Sequence, residues 1–371
     1  MGKTAIVFGA NGISGTALIE RLTSASKEEW SQIVAVSRRP PQIDHEDQRV
    51  RFVSCDLLNG TIPEMAKSLV EAGAGNAQHA FFYAYIMKQD PKEESKINTE
   101  LLHRALQLCE NACPGLQTFM LQTGMKGPPA MSSLPFREDA PRPEGENFYY
   151  PQEDLVKQFS KEHNWRWIIT RPNIIAGVSR GNYMNMAVSL GIYAVLQKEL
   201  GREFKFPGNK FAWQNIVDQS AAVNNADFQI WASTNPKAAD NIFNITNGDK
   251  ITISELWHKI ADYFGLKVPK DEDQFKKCDK KEGRCAEFSL KDYMYENEDN
   301  WKKLAQKYNL DPKAIEYCTW DFVDQTFERT WPDDSTIEKA RSLGWDKKLD
   351  SAKEFYNAFD KMKQLNMLPS N

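Results

Sequence analysis

The chain lacks any apolar run long enough to cross a bilayer as a helix, which takes about 20 residues, so no membrane span is expected. Metal-binding patterns are missing too. Its six cysteines (Cys55, Cys109, Cys113, Cys278, Cys285 and Cys318) form no C-x-x-C pair. Cys109 and Cys113 fall one helical turn apart, but none of the five histidines is spaced to complete a site with them, and no H-E-x-x-H occurs. No metal is expected, and the cysteines read as reduced thiols of a cytoplasmic protein. Nor is there an excess of one charge. With 47 Lys and Arg against 51 Asp and Glu the net charge is -4, which argues against a dedicated nucleic-acid binder. Met-Gly-Lys runs straight into an apolar segment, leaving no room for a signal peptide, and the myristoylation pattern after Gly2 fails. Internal repeats and long low-complexity linkers are absent as well.

What is present begins at once. Lys3-Thr-Ala-Ile-Val-Phe-Gly9-Ala-Asn-Gly12-Ile-Ser-Gly15 carries an apolar run into a G-x-x-G-x-x-G turn, and Leu18, Ile19 and Leu22 then give one apolar helical face. Strand, glycines and helix in that order are what a dinucleotide site requires. The glycines permit a tight turn and close backbone approach to a pyrophosphate, while helix N–H groups face the anion. Gly9, Asn11, Gly12, Ile13 and Gly15 are the candidate cradle. At the end of the next strand an NAD enzyme usually carries an acid for the ribose 2′-hydroxyl. Here the chain reads Ser37-Arg38-Arg39, with no carboxylate until Asp44. Two guanidiniums suit a 2′-phosphate, so NADPH/NADP+ is favoured over NAD(H).

Apolar strand-like runs alternate with helical stretches through the first half, the pattern of a doubly wound parallel α/β sheet. Strands are expected at Ala5–Gly9, Ile33–Ser37, Arg51–Cys55, Ala80–Tyr85, Thr118–Gln122 and Trp167–Thr170, with helices at Ile62–Ala72, Lys96–Cys113 and Glu153–His163. Asp56, after the third strand, reads equally as an adenine contact or as a cap on the next element. Later, Met184–Leu200 and Thr252–Phe264 read as helices, and Glu203–Phe206 and Ile242–Ile245 as short strands. Docking of the Met184–Leu196 stretch on lipid is a weaker reading than burial. The expected organisation is a nucleotide-binding Rossmann domain over 1–180, with a returning segment near 208–250. A smaller, mostly helical substrate lobe over 181–371 interlocks with it.

Hydride transfer needs an acid or electrostatic sink beside the accepting carbonyl, beyond the carboxyl ends of the strands. Two segments supply suitable groups there: Thr123-Gly124-Met125-Lys126 and Asn147-Phe148-Tyr149-Tyr150-Pro151-Gln152-Glu153-Asp154. The usual Y-x-x-x-K of short-chain dehydrogenases is missing, since the residues four after Tyr149 and Tyr150 are Glu153 and Asp154.

This set of motifs resembles the progesterone 5β-reductase/iridoid synthase-like enzymes of the short-chain dehydrogenase/reductase superfamily. The likeness continues through Thr170-Arg171-Pro172, Tyr183-Met-Asn-Met, Phe211-Ala-Trp213, Phe243-Asn-Ile-Thr-Asn-Gly248-Asp249 and the C-terminal helices as far as Lys363–Pro369. The resemblance implies an extended short-chain dehydrogenase fold and an oxidoreductase of specialised metabolism: an NADPH-dependent ene-reductase, adding hydride 1,4 to an enone or enal in a hydrophobic small molecule. It places the catalytic lysine at Lys126 and the catalytic tyrosine at Tyr149, with Tyr150 as the fallback. Tyr83, Thr123 and Gly124 join Ser37, Arg38, Arg39 and Asp56 on the cofactor. Pocket candidates are Tyr85, Pro128, Met131, Asn173, Met184, Met186 and Trp331, each of which core packing explains equally well. Three places depart from the family: the loop after Lys126 lacks large aromatics, Asn173 stands where glycine is common, and the fourth strand ends in Tyr83-Ala-Tyr85 without a tryptophan. A carbonyl reductase, a reductive cyclase or isomerase, and a non-catalytic NADP(H) sensor stay open as alternatives. A homodimer is compatible with the resemblance, though nothing in the chain points to one.

Overall fold

The computed structural model describes residues 2–125, 134–142, 145, 147–277 and 285–370. The first half runs β1 (Lys3–Phe8), α1 (Ile13–Ser24), β2 (Trp30–Ser37), β3 (Val50–Ser54), α2 (Ile62–Glu71), β4 (His79–Phe82), α3 (Pro91–Ala112), β5 (Thr118–Gln122), α4 (Tyr149–His163) and β6 (Arg166–Pro172). Then follow α5 (Met186–Glu199), α6 (Lys210–Gln214), α7 (Ala222–Thr234), β7 (Asn241–Ile245) and α8 (Ile253–Phe264). The tail is helical: α9 (Asp271–Gln274), α10 (Leu290–Glu296), α11 (Glu298–Tyr308), α12 (Trp320–Phe327), α13 (Glu338–Ser342) and α14 (Ser351–Gln364).

The strands form one parallel sheet of order β3-β2-β1-β4-β5-β6-β7. Side chains alternate between two buried faces: Ile6 and Phe8 of β1 pack with α2 and α3, whereas Ala5 and Val7 pack with α1 and α7. A strand buried on both sides reads as a continuous apolar run, which is why β1 is so plain in the sequence. The order reverses between β1 and β4, opening a crevice above their carboxyl ends. A separate apolar cluster joins α5, α8, α12 and α14 around Tyr193, Phe206, Trp257 and Phe355. Helix α5 is buried all round from Met186 to Gln197, so it is a core helix and presents no lipid-facing stripe.

Element ends moved where capping chemistry decides them. Helix α3 begins at Pro91, because the Asp90 side chain accepts the Lys92 N–H and proline suits the first helical position. Helix α4 begins at Tyr149, where Asn147 Oδ1 accepts the Tyr149 N–H at 3.1 Å. The expected strand at Glu203–Phe206 is an extended segment outside the sheet. Phe204 and Phe206 are both buried, but the backbone bonds to Lys267, the Gln274 amide and the Trp257 indole instead of to a strand. Cys55, Cys109, Cys113 and Cys318 are free, but Cys285 is disulfide-bonded, which corrects the expectation of reduced thiols throughout. Among the described residues no helix is long and apolar enough to span a membrane.

Candidate functional site

The glycine turn divides its labour. Gly9 has φ +79°, and a Cβ there would lie 2.7 Å from the Ala84 nitrogen, so only glycine lets the end of β1 meet the end of β4. At Gly15 a Cβ would fall 2.3 Å from the Gly9 carbonyl oxygen, so this glycine seats α1 on the turn. Gly12 is different: its Cβ would meet the Gly9 oxygen at 3.5 Å and Asn182 Oδ1 at 3.7 Å, ordinary contacts, so the space over the turn admits a Cβ without a clash. Gly12 also caps α1 without a side-chain hydrogen bond, so the first-turn N–H groups face that space.

Beside it, the Ser37 hydroxyl donates to the Arg39 carbonyl at 2.6 Å and shapes the turn from which Arg38 and Arg39 emerge exposed. Asn11, Ile13 and Arg39 line a cleft of about 560 Å³ that reaches α14. Asp44, the first acid after β2, is ion-paired to Lys361 of α14, which also approaches Glu20 at 3.6 Å. Its carboxylate is thus committed to a lysine, while two guanidiniums stand at the strand end. Asp56 accepts the N–H groups of Leu58 and Asn59 and the Asn59 amide, bonds that hold its carboxyl below the usual range. It therefore acts as a cap, in a place that leaves adenine contact open.

Under the turn lies a polar chain with no counterpart in the sequence motifs. Gln122 bonds Ser14 at 2.9 Å and accepts from the buried Gln229, whose amide also reaches Thr170; the Tyr83 hydroxyl donates to Gln229 at 2.7 Å. Thr123 is buried, donating through its hydroxyl to the Thr170 carbonyl at 3.2 Å.

At the other end of the crevice, Tyr149 opens α4 with its hydroxyl packed against Gly124. A Cβ on Gly124 would lie 2.8 Å from Tyr149 Oη and 3.5 Å from the Pro172 carbonyl oxygen. Burial, reinforced by the Glu94 carboxylate, pushes the Tyr149 phenol well up, so it stands as a neutral O–H donor. Tyr150 lies half-buried under the Arg142 guanidinium, 4.8 Å from its ring centroid. Around Tyr149 an aromatic wall forms: Phe148 at 4.2 Å, Tyr85 stacked on Phe148 at 5.3 Å, and Tyr183 at 6.4 Å from Tyr85, by ring centroids. The Tyr85 hydroxyl donates to Glu94.

Glu153, in the position where a lysine was missed, is 1 % exposed and clasped by Arg171 at 2.6 Å and Arg142 at 3.1 Å. Arg142 also holds Asp154 at 2.7 Å. The E-D half of the motif thus ties α4 to β6 and to the chain before it. Gln152 adds a second tie, to the Asn98 carbonyl, and Asn98 bonds both backbone groups of Ile86, next to Tyr85. Glu94 and Arg142 belong to no motif in the sequence, and Gln152 and Glu153, though inside the tyrosine motif, had no role assigned to them.

Of the other expected residues, Lys126, Pro128 and Met131 lie outside the described residues. Asn173 follows β6 directly and Met184 is half-buried, its carbonyl accepting from Asn182. Met186 is a core residue, 3 % exposed among Ile174, Leu190 and Trp257, as the packing reading expects. Trp331 is half-buried beside Arg329, 6.0 Å from its guanidinium.

Comparison with known proteins bears on the fold and the family. Among solved structures, the UDP-glucose 4-epimerase of Thermotoga maritima superposes with a TM-score of 0.64 at 14% identity, over 97% of this chain and 99% of that one. The WbmG enzyme of Bordetella bronchiseptica, solved in complex with NAD, gives 0.63 at 12% over 100% and 98%. At these identities the likeness is one of fold. By sequence the chain is 33% identical to the short chain dehydrogenase gsfE of Penicillium aethiopicum over the full length of both. It is 30% identical to the (S)-8-oxocitronellyl enol synthase ISY1 of Nepeta racemosa, over 99% of this chain and 93% of that protein. It is 29% identical to the 3-oxo-Delta(4,5)-steroid 5-beta-reductase of Arabidopsis thaliana, with the same coverage. Residues 5–369 match the family of PRISE-like Rossmann-fold domains, and to that family the chain belongs.

Proposed function

We propose that this protein is an NADPH-dependent reductase of an activated C=C bond in a small carbonyl compound, an enone or enal. The observation that carries the reading is the Tyr149 hydroxyl, protonated and set against Gly124 at the end of β5, in the same crevice as the glycine cradle. The residues present suit NADP(H): room above Gly12, uncapped N–H groups on α1, two exposed guanidiniums at the end of β2, and a first acid already committed to Lys361.

When bound, the cofactor supplies a hydride. The substrate takes that hydride at its β-carbon, the C=C pair moves toward the carbonyl, and negative charge grows on oxygen as an enolate. Tyr149 donates its O–H to that oxygen, a bond stronger in the transition state than in the ground state. The enolate then takes a proton from solvent water at the α-carbon, the C=O reforms with Tyr149 keeping its own proton, and a saturated carbonyl is left. A neutral phenol suits this task, because only the protonated form can donate. To Lys126 we assign, from the family motif, the role of supporting the phenol and the cofactor ribose. Arg38 and Arg39 take the 2′-phosphate. Glu153, clasped by two arginines, holds the helix that carries Tyr149 in register.

The test is NADPH oxidation, followed by absorbance, with a panel of enones, enals and simple ketones and with NADH as control. Consumption on enones or enals, lost in Tyr149→Phe, is the expected result. NADPH bound tightly without turnover on any of them, or turnover on ketones alone, overturns the reading.

A further inference from the structure

The C-terminal helix reaches across to the cofactor end of the crevice. Phe359 and Met362 of α14 are fully buried and pack on Gly191 of α5, which fixes the rotation of the helix. Lys361 stands between them. Its ammonium is ion-paired to Asp44 and lies 3.6 Å from a carboxylate oxygen of Glu20 on α1. The Asp44 N–H donates to the same Glu20 carboxylate at 3.3 Å, which ties the segment after the arginine pair to α1. Glu20, Asp44 and Lys361 line the cleft of about 560 Å³ that Asn11 and Arg39 also line. The ion pair therefore borders the space that the 2′-phosphate end of NADPH would enter.

An acid this soon after β2 works against a phosphate-bearing cofactor. A bare carboxylate would repel the 2′-phosphate, and it would accept a bond from the free ribose 2′-hydroxyl of NAD(H) instead. An ammonium in contact with that carboxylate cancels most of its field beyond the pair. Lys361 is 23 % exposed and Asp44 45 %, so the pair adds little to stability. Its weight falls on the charge of the cleft.

We propose that Lys361 is a specificity-determining residue for the cofactor: by neutralising Asp44 it keeps the cleft open to the 2′-phosphate, so that the C-terminal helix takes part in the choice of NADPH over NADH. This rests on the assignment of NADP(H) to the cleft and not on the chemistry of the reduction.

The experiment titrates NADPH and NADH, by fluorescence, into the wild-type chain, Lys361→Met, Asp44→Asn and the double variant. Lys361→Met should weaken NADPH by about fivefold or more with NADH unmoved or tighter, and the loss should shrink as salt is raised. Adding Asp44→Asn should recover most of that loss, because no carboxylate is left there to mask. Asp44→Asn alone should raise the preference for NADPH, since it leaves the lysine free to face the phosphate. Asp44 is exposed, so this variant keeps the test decisive should Lys361→Met not fold. A preference unchanged in folded Lys361→Met, a double variant as weak as the single one, or a preference not raised in Asp44→Asn overturns the inference and leaves the cofactor assignment standing. A wild-type chain that binds neither nucleotide, or NADH the more tightly, overturns that assignment and this inference with it.

Discussion

The two ends of the crevice are built by different means. At the cofactor end the working groups are backbone: a turn through Gly9, Gly12 and Gly15, and the N–H groups that open α1. They sit within one contiguous stretch, and their geometry follows from local sterics. At the candidate reaction end, side chains gathered from far apart meet the backbone at Gly124: Tyr85 after β4, Glu94 on α3, Tyr149 on α4 and Tyr183 after β6. Backbone cradles tolerate sequence change wherever a Cβ fits. Side-chain constellations need cross-ties, and here these are Glu153 with Arg171 and Arg142, and Gln152 with Asn98. One end is shaped by the main chain, the other by side-chain placement.

The sharpest way to separate the ends is Tyr149→Phe. Turnover should fall by about 10²–10³-fold, the usual cost of one oxyanion donor, while NADPH still binds by fluorescence titration. Next comes the pair Arg38→Ala and Arg39→Ala, which acts on the cofactor end alone. NADPH affinity should fall by about 10–100-fold with NADH affinity unmoved, as lost charge-assisted bonds of about 1.5–3 kcal/mol predict. Equal loss for both cofactors would break the assignment of the 2′-phosphate.

Two glycines sharpen the contrast within the cradle. Gly9→Ala must strain a positive φ and strike the Ala84 nitrogen, so thermal unfolding should drop by several degrees. Gly12→Ala finds room, so its unfolding should hardly move while NADPH binding weakens. At the reaction end, Glu153→Gln leaves Arg171 and Arg142 without their shared charge. A stability loss of about 1.5–3 kcal/mol in urea is expected, with kcat falling more than NADPH affinity.

The smallest effect is a pH dependence. Burial pushes Asp218 up to about 6, against the nearby Lys250 and the Ser335 N–H that favour its charged form. A carboxyl raised above its unfolded value contributes stability below that value and loses it as pH rises through about 6. The chain should therefore lose stability between about pH 4 and 6 through this group, and Asp218→Asn should flatten that part of the urea-measured curve.

Much of this was legible before folding. The glycine turn, the order of strand and helix, the arginine pair and the tyrosine motif are local signals, each produced by a stretch short enough to read. Among the boundaries that shifted, that of α3 did so at Asp90, where a capping side chain, and not periodicity, decides the first helical turn. Glu203–Phe206 alternates like a strand, yet its backbone bonds go to the Lys267 carbonyl and to the Gln274 and Trp257 side chains and not to a strand.

By itself the sequence determined the doubly wound class, the nucleotide cradle, the leaning toward NADP(H) and the candidate tyrosine, because each depends on neighbours in the chain. Only the tertiary structure decided that Tyr149 faces Gly124 while Tyr150 lies under Arg142, that Glu153 is a clasp between two arginines, and that Met186 belongs to the core. Those facts rest on contacts between residues far apart in sequence. Burial and pairing are properties of the packed whole, and no local pattern encodes which distant partner will arrive.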